Sequence, residues 1–218
     1  MTAEKYNRAQ MDAGLLTDRM ITELVCEYQH AHELKVDGYC GPATQKILAD
    51  NLEWDGSSQS EVSKLMLEIA LSERGNGEEG GNNSGPHVAK YLGIVDDGDP
   101  DDDGSWCAAF VSWCGTQASL QLGYGECVFK TSNGAKKLAE NIIAVGERVS
   151  FPAPGDIVWW DRGKPGSWEG HIGIVWKIEK GVLYTVEGNV GRFPAVVDDF
   201  KYDMDRMPRL EGFARLLA

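Results

Sequence analysis

Acyl transfer by a thiol needs a cysteine, a base within reach of it and a group that orients the base. The sequence offers five Cys and four His for these parts. Cys107 lies in Ser105–Cys114, SWCAAFVSWC, the longest stretch free of charge and of Gly or Pro breakers. If a helix starts near this cysteine, the unbonded backbone N–H groups and the helix dipole favour a thiolate there. The opposing reading is that Cys107 is core, as a Cys in an apolar run commonly is. His171 opens HIGIVWKI, a segment of strong β-propensity that follows the turn Gly166–Gly170, so its ring projects from a sheet end. The next strand closes on Val186-Glu187-Gly188-Asn189, where Glu187 and Asn189 share one side at period two. Either can hold the second imidazole nitrogen and set the tautomer. His30 and His32 sit in a polar N-terminal setting and His87 follows Pro86 at a helix start, so all three read as surface or cap residues. Taken singly, Cys107 and His171 read as structural. Their order, a Cys at a helix start, a His at a strand start and Glu/Asn on the following strand, is what points to a nucleophile, a base and its orienter.

The elements that must position these groups are helical first and extended later. Thr17 or Asp18 can cap a helix with the stripe Met20, Ile21, Leu24, Val25 and Tyr28. A tight turn at VDGYCG follows, and Pro42, Thr44, Ile47 and Leu48 begin a further helix. WDGSSQS (Trp54–Ser60) has linker composition. The division is a helical domain at 1–54, a linker at 55–60 and a catalytic domain at 61–218. In the last, Ser60 caps a helix to Leu71, Pro86 starts a short one to Leu92, and Thr131 is placed to cap one to Ile142 or Ile143. Strands are predicted at Asp156–Asp161, His171–Ile178, Val182–Gly188, Ala195–Tyr202 and Gly212–Leu217, rich in Val, Ile, Trp and Tyr. The fold class is therefore α+β with an antiparallel sheet.

Composition narrows the partners. Of 218 residues, 42% are hydrophobic and 25% charged, which suits a folded domain. The net charge is −13, and residues 61–104 hold 3 basic against 11 acidic groups. That balance argues against nucleic acid, whose phosphates need a basic stripe, and against anionic membranes. Neither a signal peptide nor a membrane-length apolar run is visible, so the expectation is a product made in the cytoplasm without membrane insertion; a monomer is expected. Gly75, Gly77 and Gly80 formally spell G-x-G-x-x-G, but they follow a helix, and Glu78 and Glu79 would repel a pyrophosphate. Cys26 and Cys40 could bridge. Cys107 and Cys114 share a helix face seven residues apart, too far to bond.

Two resemblances follow from the motifs. LVCEYQHAHELKVDGYCGPATQKIL, through Tyr28–Gln29, Val36, Asp37, Gly38, Gly41 and Thr44, resembles the three-helix peptidoglycan-binding domain. DGSWCAAFVSWC, PAPGDIVWWDR, GHIGIV, TVEGN and the closing EGFARLL together resemble the CHAP domain, the cysteine, histidine-dependent amidohydrolase/peptidase family of cell-wall lysins. That resemblance implies a papain-like/NlpC-P60-like fold and peptidoglycan as substrate. It implies Cys107 as nucleophile, His171 as general base and Glu187 with Asn189 as orienting and polarising groups. The pair of modules resembles phage endolysins, which implies release through a holin-type pore and lysis of the bacterial cell. An N-acetylmuramoyl-L-alanine amidase and a stem or cross-bridge endopeptidase need the same residues.

No cofactor is required by this chemistry. Asp99, Asp101 and Asp103, followed by Gly104, fit the first half of a calcium loop, but its twelfth position is Phe110 and not a bidentate Glu, so a solvated loop is the leading reading. Trp106 and Trp160 are candidates both for lining a substrate groove and for the core. Two rivals stand beside the hydrolase. One is a non-catalytic cell-wall-binding or virion structural protein, against which the filled catalytic positions speak. The other is a metal-dependent amidase, for which the sequence lacks an HExxH motif.

Overall fold

The computed structural model describes residues 17–44, 59–95, 104–164, 166–179 and 181–217. Ile47, Leu48, most of the linker and the acidic run with Asp99, Asp101 and Asp103 lie outside the described residues. The chain divides into two compact units, Met1–Trp54 and Asp55–Ala218.

In the first unit, helix α1 (Asp18–Ala31) starts at Thr17, whose hydroxyl accepts the Met20 N–H at 3.3 Å. The unit is tied together by one buried amide. Gln29 Nε2, with two hydrogens to donate, lies within bonding distance of Asp37 Oδ1 (3.0 Å), the Tyr39 carbonyl (2.8 Å) and Thr44 Oγ1 (2.9 Å). Its Oε1 accepts the backbone N–H groups of Asp37 (3.1 Å) and Gly38 (3.0 Å). Gly38 has φ +74°, and a Cβ there would lie 2.6 Å from Thr22 Cγ2, so only glycine passes under the helix at this point. The motif Gln29, Asp37, Gly38 and Thr44 is thus a set of mutually satisfied polar groups. Cys26 and Cys40 are thiols and do not form a disulfide.

Among the described residues of the second unit, the cysteine segment forms one of four α-helices. Helix α2 (Glu61–Ser72) is capped by Ser60, which accepts the Ser63 N–H at 3.1 Å, and turns Val62, Met66 and Ala70 inward. Helix α3 (Pro86–Leu92) starts on its proline and buries Val88 and Tyr91. Helix α4 (Cys107–Gln121) is apolar on all sides because it is surrounded, with Cys107, Phe110, Val111, Cys114 and Ala118 all buried. Helix α5 (Ala135–Val145) contributes Leu138, Ala139 and Ile142.

Helix α5 begins later than the sequence suggests. Its N-cap is Gly134, and Thr131 does not cap it. The intervening residues are anchored on α4: Ser112 Oγ donates to the Ser132 carbonyl (2.9 Å) and accepts the Ser132 N–H (3.1 Å). That anchoring holds the backbone out of the helix.

The six strands are β1 (Gly146–Val149), β2 (Ile157–Asp161), β3 (Gly170–Glu179), β4 (Val182–Val190), β5 (Val196–Asp203) and β6 (Leu210–Leu216). They form one sheet in the order β1-β6-β2-β3-β4-β5, every pairing antiparallel. Strand β1 was not predicted. GERV alternates weakly in hydrophobicity, and it is strand only because Gly146 to Val149 pair with Leu216 to Phe213. One sheet face packs Ile157, Trp159, Ile172, Ile174 and Val186 against the helices. The other carries a smaller cluster of Val158, Trp160, Val175, Leu183 and Phe213, flanked by Tyr202. Arg215 grips Asp156 with Nε and Nη2 (2.9 and 2.7 Å), which fastens the PAPGD turn to the last strand. None of the described helices is long and apolar enough to cross a membrane.

Removing the Gln29 amide should open the first unit alone. Gln29→Ala removes this hydrogen-bonding amide and leaves buried groups unpaired, a cost of roughly 2–4 kcal/mol. Hydrogen exchange on the full chain should show faster exchange of the Asp37 and Gly38 amides with α4 unaffected. Unchanged protection at those amides would show that Gln29 does not hold the turn.

Candidate active site

Cys107 is the first residue of α4, preceded by Trp106 at the N-cap. The first N–H groups of a helix have no intrahelical acceptor, so a group placed there meets free donors and the positive end of the dipole. Trp106 is fully buried and stacks on Tyr91 (5.5 Å between centroids), so it supports the helix start and does not line a groove. Glu78, from the Gly-rich loop, is also buried. Its Oε2 accepts the Ala195 N–H (2.7 Å), and its Oε1 accepts the Asn83 N–H (2.8 Å) and, at 3.5 Å, the Trp106 indole N–H. The G-x-G-x-x-G segment therefore braces the helix start with an inward carboxylate. Gly77 is required there because a Cβ would lie 2.2 Å from the Ala195 carbonyl.

His171 is the second residue of β3 and 2% exposed. Its Nε2 is 2.6 Å from Glu187 Oε2 on β4. A carboxylate only accepts, so Nε2 carries the hydrogen and Nδ1 is left to face the thiol. Glu187 has no solvent exposure, and two hydroxyls also donate to it. Thr185 Oγ1 donates to Oε1, and Tyr202 donates to Oε2 at 3.2 Å. Tyr202 is raised above its ordinary pKa by burial and by the Glu187 charge, which keeps it a donor.

Two glycines make the approach possible. A Cβ on Gly173 would lie 2.5 Å from Glu187 Cγ, and one on Gly188 would lie 2.8 Å from Trp106 Cζ3. Gly173 leaves room for the carboxylate beside the imidazole. Gly188 lets the helix start press against the end of β4. Trp160 completes the setting, with its ring 5.8 Å from the His171 ring and 4.9 Å from that of Tyr202.

The charge balance at the pair is set by contact. Burial pushes the Cys107 thiol up, but the His171 imidazole, by contact and by charge, outweighs burial, with smaller help from Arg162 and the Ala108 N–H. The thiol ends below its ordinary value. Burial would depress His171, yet Cys107 and Glu187 together raise it to about 9. Both shifts favour a thiolate beside an imidazolium. Cys114, two turns on, has burial without such a partner and is held well above the ordinary thiol value.

Cys107, His171 and Glu187 are thus brought together. Asn189 is placed differently. It lies at the end of β4 with φ +58°, and the β4–β5 register shifts between Glu187 and Val190. The period-two alternation that would put it beside Glu187 is interrupted, and Asn189 forms no hydrogen bond with the imidazole. From sequence, Thr185, Tyr202 and Arg162 carried no role, and Glu78 counted only as a charge that would repel a pyrophosphate. Thr185 could have been found from its period-two spacing to Glu187, whereas Tyr202 enters through the β4–β5 ladder and has no local signal. His30 is exposed, His32 packs on Tyr28 (4.3 Å), and His87 is half-buried in α3. Among the described residues no cluster of three or more His, Cys, Asp or Glu is arranged to hold a metal.

Residues 99–189 match the family described as the CHAP domain. The span opens in the acidic run before Cys107 and closes on Asn189. No curated protein matches the chain.

The two buried cysteines should separate by reactivity. With its pKa lowered, Cys107 is alkylated by iodoacetamide near neutral pH, and the rate falls as acid protonates the thiolate. Cys114 stays unmodified in the folded protein. Peptide mass mapping reads both, and equal labelling of the two would contradict the lowered thiol.

Proposed function

We propose that the second unit is a peptidoglycan hydrolase that cleaves an amide bond through a Cys107 thioester, and that the whole chain acts as a cell-wall lysin of endolysin type. The observation that carries this reading is the buried Glu187–His171 bond beside the cysteine at a helix start. The CHAP-domain match over the same residues supports peptidoglycan hydrolysis in general.

The steps follow from the positions. His171 Nδ1 holds the thiol proton, and the Cys107 thiolate attacks the amide carbonyl. The oxyanion is stabilised by N–H donors at the helix start, with the Cys107 backbone among them. The imidazolium, kept protonated by Glu187, gives its proton to the leaving amine. His171 then takes a proton from water, which attacks the thioester and frees Cys107. We assign Glu187 to orienting the base. Asn189, at the rim of the same strand end, is assigned to polarising the substrate carbonyl. The bond is that of an N-acetylmuramoyl-L-alanine amidase or of a stem or cross-bridge endopeptidase. The first unit is proposed to hold the enzyme to the wall, and the protein to work as a monomer. No step uses a cofactor; calcium at Asp99, Asp101 and Asp103 remains outside the mechanism.

Purified sacculi test this directly. Wild-type protein should release fragments with new N- and C-termini that mass spectrometry assigns to one amide. Cys107→Ala should lower the rate at least about 1,000-fold. Unchanged lysis by Cys107→Ala would end this reading and leave a non-catalytic wall protein.

The pH profile of kcat/KM should be bell-shaped. Activity needs the thiolate, so it falls in acid below the lowered thiol pKa. It needs the imidazolium as acid, so it also falls as His171 loses its proton at about 9. Glu187→Gln removes the charge that raises His171. The alkaline limb should then move to lower pH, with roughly a 100-fold loss or more at the optimum. An unmoved alkaline limb would show that Glu187 does not set the imidazole.

A further inference from the structure

The turn between β2 and β3 is held rigidly beside the site. Lys136 Nζ donates to Asp161 Oδ1 (2.6 Å) and to the Ser167 carbonyl (2.8 Å). Arg209 donates to Asp161 Oδ2 (3.2 Å), to the Arg162 carbonyl (2.8 Å) and to the Gly163 carbonyl. Two cations are thus committed to fastening this turn. A third, Arg162, is not. Its backbone extends the ladder one step past β2, with its N–H donating to the Glu169 carbonyl at 3.2 Å. It therefore follows Trp160 on the same face of the sheet, the face on which Trp160 meets His171 and Tyr202. Its side chain is exposed and makes no ion pair or hydrogen bond among the described residues. Its positive field reaches both Cys107 and Tyr202.

Among the described residues the Arg162 guanidinium has no ion pair, in a chain of net charge −13. Net negative charge disfavours anionic substrates at long range, and Arg162 adds a positive charge whose field reaches Cys107. A planar fork of donors on a rigid turn suits a carboxylate better than a neutral amide.

We propose that Arg162 is a specificity-determining residue that binds a free carboxylate on the substrate next to the amide attacked by Cys107. The substrate class is then an acidic peptide whose carboxylate adjoins the scissile bond. This rests on the hydrolase reading above. The rival is that Arg162 only favours the thiolate and touches no substrate.

The test uses two wall-derived peptides that differ in one group, a carboxylate in one and a carboxamide in the other. Wild-type kcat/KM should favour the carboxylate by about tenfold or more. Arg162→Gln should lose that preference by losing activity on the carboxylate peptide, mainly through KM, while Arg162→Lys keeps part of it. An equal fall on both peptides, or no change on either, overturns the proposal. A binding arm separates this from the hydrolase reading. In Cys107→Ala, calorimetry should give a lower Kd for the carboxylate peptide, and Arg162→Gln in that background should abolish the difference. Equal Kd values before that second substitution overturn the role of Arg162 even if the wild type cleaves both peptides. A binding preference without cleavage by the wild type would instead sustain Arg162 and defeat the hydrolase.

Discussion

A carboxylate with no exposure to water is costly unless it is well hydrogen-bonded, and Glu187 is such a group. Its partners, His171, Thr185 and Tyr202, come from three strands. Much of the local architecture follows from keeping that carboxylate satisfied. Position 173 must be glycine to admit it. Trp160 must fill the space between the imidazole and the phenol. The β4–β5 ladder must deliver Tyr202 at the correct height. The same arrangement leaves Nδ1 of His171 as the nitrogen that faces the sulfur, so a structural requirement and a chemical one are met by one bond.

The second requirement is the placement of a helix start against a strand end. Cys107 and Cys114 belong to one helix, one apolar run and one buried face, yet their thiols are driven in opposite directions. Burial acts on both. Both also have a backbone N–H and a cation to oppose it, but only Cys107 has an imidazole in contact. Gly188 and the Glu78–Trp106 brace hold that helix start where the imidazole can reach it. The braced loop, glycine-rich and acidic, stabilises by presenting a carboxylate to backbone donors, which is the reverse of the phosphate cradle its spacing formally spells.

The first unit is organised by the same logic on a smaller scale. One glutamine side chain satisfies a turn, a carboxylate and a hydroxyl. The residues that carry its resemblance to a wall-binding domain are therefore those that make its fold. Their presence explains the architecture of the unit. A wall-binding role would depend on exposed side chains such as Tyr39, which the motif does not specify.

The sequence alone determined the order of Cys, His and carboxylate, the α+β class, and five of the six strands to within a few residues. These are local properties: residue type, hydrophobic period, and breakers such as Gly and Pro. It also marked Ser105–Cys114 as an apolar run with Cys107 and Cys114 on one helix face. Tertiary structure alone decided that Glu187 and not Asn189 takes the imidazole, since a register shift and a left-handed residue break the alternation on which their equivalence rested. It alone recruited GERV as a strand, delayed α5 to Ala135, and brought Tyr202 and Arg162 to the site. Each of these depends on a contact between segments far apart in the chain. Such contacts arise from strand register and packing and leave no mark on local composition.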